Sequence, residues 1–250
     1  MRFTAKINTL HQMASTMTNL FVNAPNQTLM SCAECGDLAG LARLLAQGAD
    51  PRHGGSPALR LAAGNGHVEC VKLLIPLSDP KANNSEALRW AAGAGHTDCV
   101  TLLIPLSDPK ANNSEALRWA AEAGHTDCVR LLIPLSDPKA DGSHALRLAA
   151  ANGHVDIFKL LLSVSDPLIE MKGILSGAIG HGDADILSIM FGHEPRFLEL
   201  LDLPSILGAA IAKKQSELAL FLGSVIEQKI LAANLPPPSS RPPSSTAPRL

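Results

Sequence analysis

Four arginines stand at one phase of a 29-residue spacing: Arg60, Arg89, Arg118 and Arg147. Trp90 and Trp119 directly follow the middle two, and Leu61 and Leu148 hold that place beside the outer two. Arginine and tryptophan are enriched where protein interfaces concentrate their binding energy. A row of them on one surface could hold a protein partner, either an acidic or an extended peptide. The other reading is internal. Glu86 lies three residues before Arg89 and Glu115 three before Arg118, a spacing at which an ion pair stabilises a helix by about 0.2–0.5 kcal/mol. A tryptophan there also covers the neighbouring unit. Arg60 faces Pro57 at that offset and Arg147 faces His144, so pairing within a helix does not account for the whole row. The candidate partner-binding residues are Arg60, Arg89, Trp90, Arg118, Trp119 and Arg147.

A second row could suggest metal chemistry. His67, His96, His125 and His154 each have an acid two residues later, Glu69, Asp98, Asp127 and Asp156. A metal ion needs several ligands converging on one point. Histidines one repeat apart do not converge, and residues two apart on a helix point to different sides. They read as turn histidines bonded to neighbouring backbone, with no metal and no cofactor. Cys32 and Cys35 form a lone C-x-x-C, weak as a zinc or redox motif without a second pair; both read as packing residues. The glycines in "GAIGHGD" at 177–183 end a helix and form no phosphate loop. No Ser/His/Asp or Cys/His arrangement rises above the repeat background, so the expectation is a protein that is not an enzyme.

Composition narrows the class. With 21 basic and 23 acidic residues the net charge is −2, against a nucleic-acid partner. No apolar run approaches the roughly 20 residues of a membrane span. Five cysteines, an odd number, argue against a closed disulfide framework. Cys70, Cys99 and Cys128 share one phase and read as small buried hydrophobes. Together these suit a monomer in the reducing cytoplasm. The polar, acid-free start over 1–27 reads as a flexible arm; an export signal into a host cell is the alternative.

The elements that position these residues follow from the repetition. "IPLSDPKANNSEALRWAA" occurs at 75–92 and again, unchanged, at 104–121. Aligning on Ala58, Ala87, Ala116 and Ala145 gives four clear units, with weaker ones from Cys32, Ile174 and Ile206. Each unit reads as two short helices. Ser85 reads as the N-cap of the first helix in its unit, and Pro57 occupies the favoured first helical position in the unit before it. Ala87, Leu88, Ala91 and Ala92 form an apolar stripe, and Gly95 ends the helix in a left-handed cap. Thr97 then caps the second helix, whose apolar face is Val100, Leu103 and Ile104. Pro105 stops it, and Ser107-Asp108-Pro109 turns the chain onward. One such hairpin cannot bury its own face; a stack can.

"LRLAAGNGH" at 59–67, "LRWAAGAGH" at 88–96, "LRWAAEAGH" at 117–125, "LRLAAANGH" at 146–154 and "LLAQGADP" at 44–51 together resemble the ankyrin repeat over roughly residues 29–224. The resemblance implies an all-α solenoid of helix-turn-helix units whose function is protein binding through the concave face, lined by first helices, and the loops. The units depart from the family in length, 29 residues against about 33. The missing residues fall in the β-hairpin finger, where "KANNSEA" replaces the D-x-x-G-x-T-P turn. Short loops with little or no β-pairing are therefore expected. Lys81, Lys110 and Lys139 stand where the family has an asparagine. The expected organisation is a solenoid of about seven hairpins, caps included, over 28–234, with a disordered Pro/Ser-rich tail over 235–250 that lacks any P-x-x-P. The expected role is a non-catalytic protein–protein interaction module, a scaffold or inhibitor inside its own cell; an exported host-directed effector and an enzyme with a cryptic site are the rival readings.

Overall fold

Alanine pairs decide how closely the helices stack. A computed structural model describes residues 26–234 apart from Glu170. The arm expected over 1–27, except its last two residues, and the tail expected over 235–250 lie outside the described residues. Asn26 and Gln27 are helical. All regular structure among the described residues is helical, as the resemblance to an all-α repeat array implied.

Two compact units are present, one running through His181 and the other beginning at Gly182. The first contains α1 (26–35) and α2 (Leu38–Ala46), then α3 (Pro57–Gly64) with α4 (Val68–Leu74), α5 (Ala82–Gly93) with α6 (Thr97–Leu103), α7 (Ala111–Glu122) with α8 (Thr126–Leu132), α9 (Ala140–Ala151) with α10 (Val155–Leu162), and α11 (Met171–His181). The first helices α3, α5, α7, α9 and α11 pack side by side in one row, and α4, α6, α8 and α10 form a second row. Ala62, Ala63, Ala91, Ala92, Ala120, Ala121, Ala149 and Ala150 are completely buried between first helices, where a larger side chain would push neighbouring backbones apart. Leu59, Leu88, Leu117 and Leu146 fill the space toward the second row, which contributes Val71, Val100 and Val129 and the buried Cys70, Cys99 and Cys128. Burial pushes the Cys99 thiol up to about 11.

The second unit holds α12 (Ala184–His193), α13 (Phe197–Leu200), α14 (Leu203–Ala212) and α15 (Ser216–Asn234). Here α15 packs on α14 and α12, and the Phe191 and Phe221 rings stack with centroids 6.1 Å apart. The weak repeat from Ile206 corresponds to α14 and α15. The short helix α13 had no counterpart in the repeat pattern.

Each clear repeat turns from its first to its second helix on a left-handed glycine: Gly66, Gly95, Gly124 and Gly153 have φ between +71° and +84°. Conformation is only half the reason. A Cβ on Gly95 would lie 2.5 Å from Nδ1 of His125 in the next repeat, and one on Gly66 equally close to His96. The second helix then starts with His96 in the cap position and Thr97 already helical, with no side-chain cap. The expectation that Thr97 caps α6 is thus corrected; its hydroxyl sits 3.6 Å from Cys128 Sγ instead. Pro105 acts as expected: α6 ends at Leu103 and tightens into a 3-10 turn over Ile104–Leu106.

The linkers hold the larger correction. Within the bounds of α5 and α7 the first turn is not right-handed helix: Asn83, Asn84 and Ser85 all adopt left-handed backbone, with φ of 51°, 59° and 57°, and Asn112, Asn113 and Ser114 repeat this, so these residues serve as linker. Asp141, Gly142 and Ser143 do the same, as do Gly54, Gly55 and Ser56. A left-handed residue with a Cβ costs about 1–2 kcal/mol, and only Gly, Asn and Asp adopt it readily, which accounts for the linker sequences NN, DG and GG before each serine. Ser85 therefore precedes the right-handed part of α5, as Ser56 precedes α3, but its side chain does not cap the helix. The serine is buried, and its hydroxyl accepts the N–H of Asp108 in the next repeat at 2.8 Å. Ser56, Ser114 and Ser143 accept the N–H of Asp79, Asp137 and Asp166 in the same way at 2.8–2.9 Å. The Ser-Asp-Pro motif completes the fastening. Ser107, Ser136 and Ser165 donate their hydroxyls to the carbonyls of Pro80, Pro109 and Pro138 at 3.2–3.3 Å. What replaces the β finger is thus a left-handed turn pinned from one repeat to the next.

Candidate functional site

The arginine row points along the stack. Arg60 pairs with Glu86 at 3.5 Å, Arg89 with Glu115, and Arg118 with Asp141 at 3.5 Å. Every one of these acids belongs to the following repeat, so the expected pairs within a helix, Glu86 with Arg89 and Glu115 with Arg118, give way to pairs between helices. The guanidinium of Arg89 also donates to the carbonyl of Asn83 at 2.9 Å, and that of Arg118 to Asn112 at 3.0 Å. These carbonyls belong to the left-handed turns. With their side chains only 12% and 19% exposed, Arg89 and Arg118 are chiefly parts of the stack. Arg147 contacts His144, whose ring bonds Asp141 at 3.0 Å. That bond, with the charges of Arg118 and Arg147 behind it, holds the Asp141 carboxyl below its ordinary range.

The tryptophans behave differently. Arg60 sits over the Trp90 ring at 4.9 Å and Arg89 over the Trp119 ring at 5.5 Å, cation–π contacts of a kind that contribute about 0.5–1 kcal/mol each near a surface. Each ring also lies across a glycine of the preceding repeat. A Cβ on Gly64 would meet Trp90 at 3.1 Å, and one on Gly93 would meet Trp119 at 3.2 Å. Trp90 nevertheless remains 40% exposed. The result is a groove of about 400 Å³ lined by Trp90, Gly93, Ala94, Trp119, Glu122 and Ala123. Of the six expected site residues, the two tryptophans line this groove, while Arg60 and Arg89 brace the rings from their stacked positions. Arg118 and Arg147 are not among its lining residues.

Gly93, Ala94, Glu122 and Ala123 line the groove without having been among the expected site residues. A signal was present: glycine stands at 64 and 93, one repeat before each tryptophan, whereas Glu122 precedes Leu148 at the same offset. The floor is small wherever the ridge is large. Gly93 and Glu122 are also the last residues of α5 and α7, so the groove lies at two helix C-termini, the negative ends of their dipoles.

Three of the four histidines in the row bond backbone, as read. Nε2 of His67, His125 and His154 donates to the carbonyls of Glu34, Gly93 and Glu122 at 2.8–3.1 Å. No group of three or more potential ligands could hold a metal ion among the described residues. Cys32 is half-buried and Cys35 exposed, so Cys35 is not the packing residue it was expected to be. No described helix is long and apolar enough to cross a membrane.

A family model described as ankyrin repeats (3 copies) matches residues 29–113 and 106–171, more than half of the chain. No curated protein matches it.

Proposed function

The chain belongs to the ankyrin-repeat family, and on that premise we propose that it is a non-catalytic, monomeric binding module that takes an extended segment of a protein partner in the groove between Trp90 and Trp119. Ankyrin repeats in general are protein–protein interaction modules. The observation that carries the reading is the pair of partly exposed tryptophans held over glycine and alanine on the first-helix row. Large rings on a small-residue floor offer apolar area without having to be ordered first, which limits the entropic cost of binding. The arginines support the rings and are already matched by acids, so an extended segment suits the groove better than an acidic one. Five free thiols, three of them buried, suit work in the reducing cytoplasm.

Trp90 and Trp119 are the only tryptophans in the chain, and tyrosine is absent. Intrinsic emission therefore reports the groove alone. Peptides selected by display on the intact chain should shift that emission saturably and protect it from acrylamide quenching. Ligands that bind while leaving emission and quenching untouched would place the binding face elsewhere.

A further inference from the structure

The groove's geometry and charge point to a narrower ligand class. Resting on the reading above, we infer that the occupant is a segment of a partner protein in polyproline II conformation, with prolines three residues apart and an arginine beside them.

Spacing is the first argument. Trp90 and Trp119 occupy the same position on adjacent packed helices, α5 and α7, and adjacent packed helices lie about 8–10 Å apart. A polyproline II strand has three residues per turn and rises about 3.1 Å per residue, so about 9 Å per turn. Prolines at i and i+3 thus project from one side of the strand at the interval of the two rings. A helical ligand brings side chains back to one face only after about 7 residues, about 10.5 Å, slightly beyond that interval. Aromatic-lined grooves take such strands because the ligand is already extended and loses little entropy.

Charge is the second argument. Glu122 lines the groove, is exposed, and forms no ion pair among the described residues. The C-terminal ends of α5 and α7 add negative potential, while the nearby cations Arg60 and Arg89 are held by Glu86 and Glu115. The open face of the groove therefore favours a cation on the ligand. The chain's own proline-rich segment, 235–250, contains Arg241 and Arg249 but no two prolines three apart. A peptide copy of it is accordingly a control and not the predicted ligand.

The test titrates the full chain with four peptides and follows tryptophan emission. They are RAPAAPAR, the same residues rearranged as RAPAPAAR, the acidic EAPAAPAE, and the copy of 235–250. The expected result is saturable binding of RAPAAPAR at least fivefold tighter than any of the others, with that preference over EAPAAPAE reduced severalfold by Glu122→Gln. Equal binding of RAPAAPAR and RAPAPAAR overturns the spacing, and tighter binding of EAPAAPAE overturns the charge. If no proline peptide changes the emission while display-selected peptides of another class do, the groove stands as the binding site and this inference falls. If neither set changes it, the proposed binding site falls as well.

Discussion

The linkers that flank the four clear repeats are nearly copies of one another, while the surface beside them is not. At every junction a left-handed turn ends in a buried serine that accepts an aspartate N–H from the next repeat. On the first-helix row, by contrast, the position after the arginine is leucine at 61 and 148 and tryptophan at 90 and 119, and the groove opens where the tryptophans stand. The fastening repeats because a stack is held by its nearest-neighbour interfaces, each of which must solve the same problem. The ridge is free to vary because it touches solvent. Repetition in this chain therefore marks what holds the array together, and the departure from repetition marks the groove proposed to take a partner.

The comparison breaks most visibly at the helix turns. Gly95→Val forces a β-branched residue into left-handed backbone, about 1–2 kcal/mol, and drives the His125 ring off its bond to the Gly93 carbonyl, about 1 kcal/mol more. A loss of about 2–3 kcal/mol in urea unfolding is expected. Gly64→Ala, on the groove side of the same array, meets Trp90 at 3.1 Å but gains helix propensity of about 1 kcal/mol, and should be close to neutral. Equal costs at the two glycines would show that the left-handed turn and the histidine contact are not what Gly95 supplies.

A smaller effect sharpens the claim that junctions are equivalent. Ser85→Ala and Ser143→Ala each leave a part-buried aspartate N–H without its acceptor, about 1–2 kcal/mol. The two should cost the same within about 0.5 kcal/mol, although their linkers read NNS and DGS. A large difference would mean that the preceding residues, and not the serine, fasten the repeats.

The smallest effect concerns the one junction whose acid lies elsewhere. Asp141, in the linker, takes the role that Glu86 and Glu115 play for the preceding arginines. Its carboxyl is depressed by the His144 hydrogen bond and by neighbouring cations. A depressed carboxyl adds stability above its ordinary pKa, 3.8, and that contribution fades as the pH falls through the lower, folded value. Thermal midpoints of wild type and Asp141→Asn should differ at neutral pH and converge in strong acid. A gap that persists there would mean that the substitution acts through packing and not charge.

Much of this was legible beforehand. The 29-residue period, the alanine pairs, the glycine turns and the proline stops set the helices, because each depends on local sterics. The linkers were misread because "NNSEA" carries the letters of an N-cap, and only the next repeat, whose Asp108 N–H meets Ser85, reveals what the serine is for. The arginine row was half read. Its partners lie 26 residues away for Arg60 with Glu86 and Arg89 with Glu115, an interval that intrahelical spacing rules do not consider. Trp90 and Trp119 were singled out for their types, whereas the floor beneath them required knowing which first-helix residues face the next repeat.

The arginines serve the stack, and the tryptophans are proposed to serve the partner. The most direct measurement is the affinity of a display-selected peptide, by fluorescence anisotropy, for the Trp90→Leu/Trp119→Leu double variant. Leucine already occupies this position in the flanking repeats, so the variant should fold, with a loss limited to about 1–2 kcal/mol from the two cation–π contacts. The account predicts binding at least tenfold weaker with the fold intact. Undiminished affinity, or a variant that loses more stability than this and still binds, would contradict it.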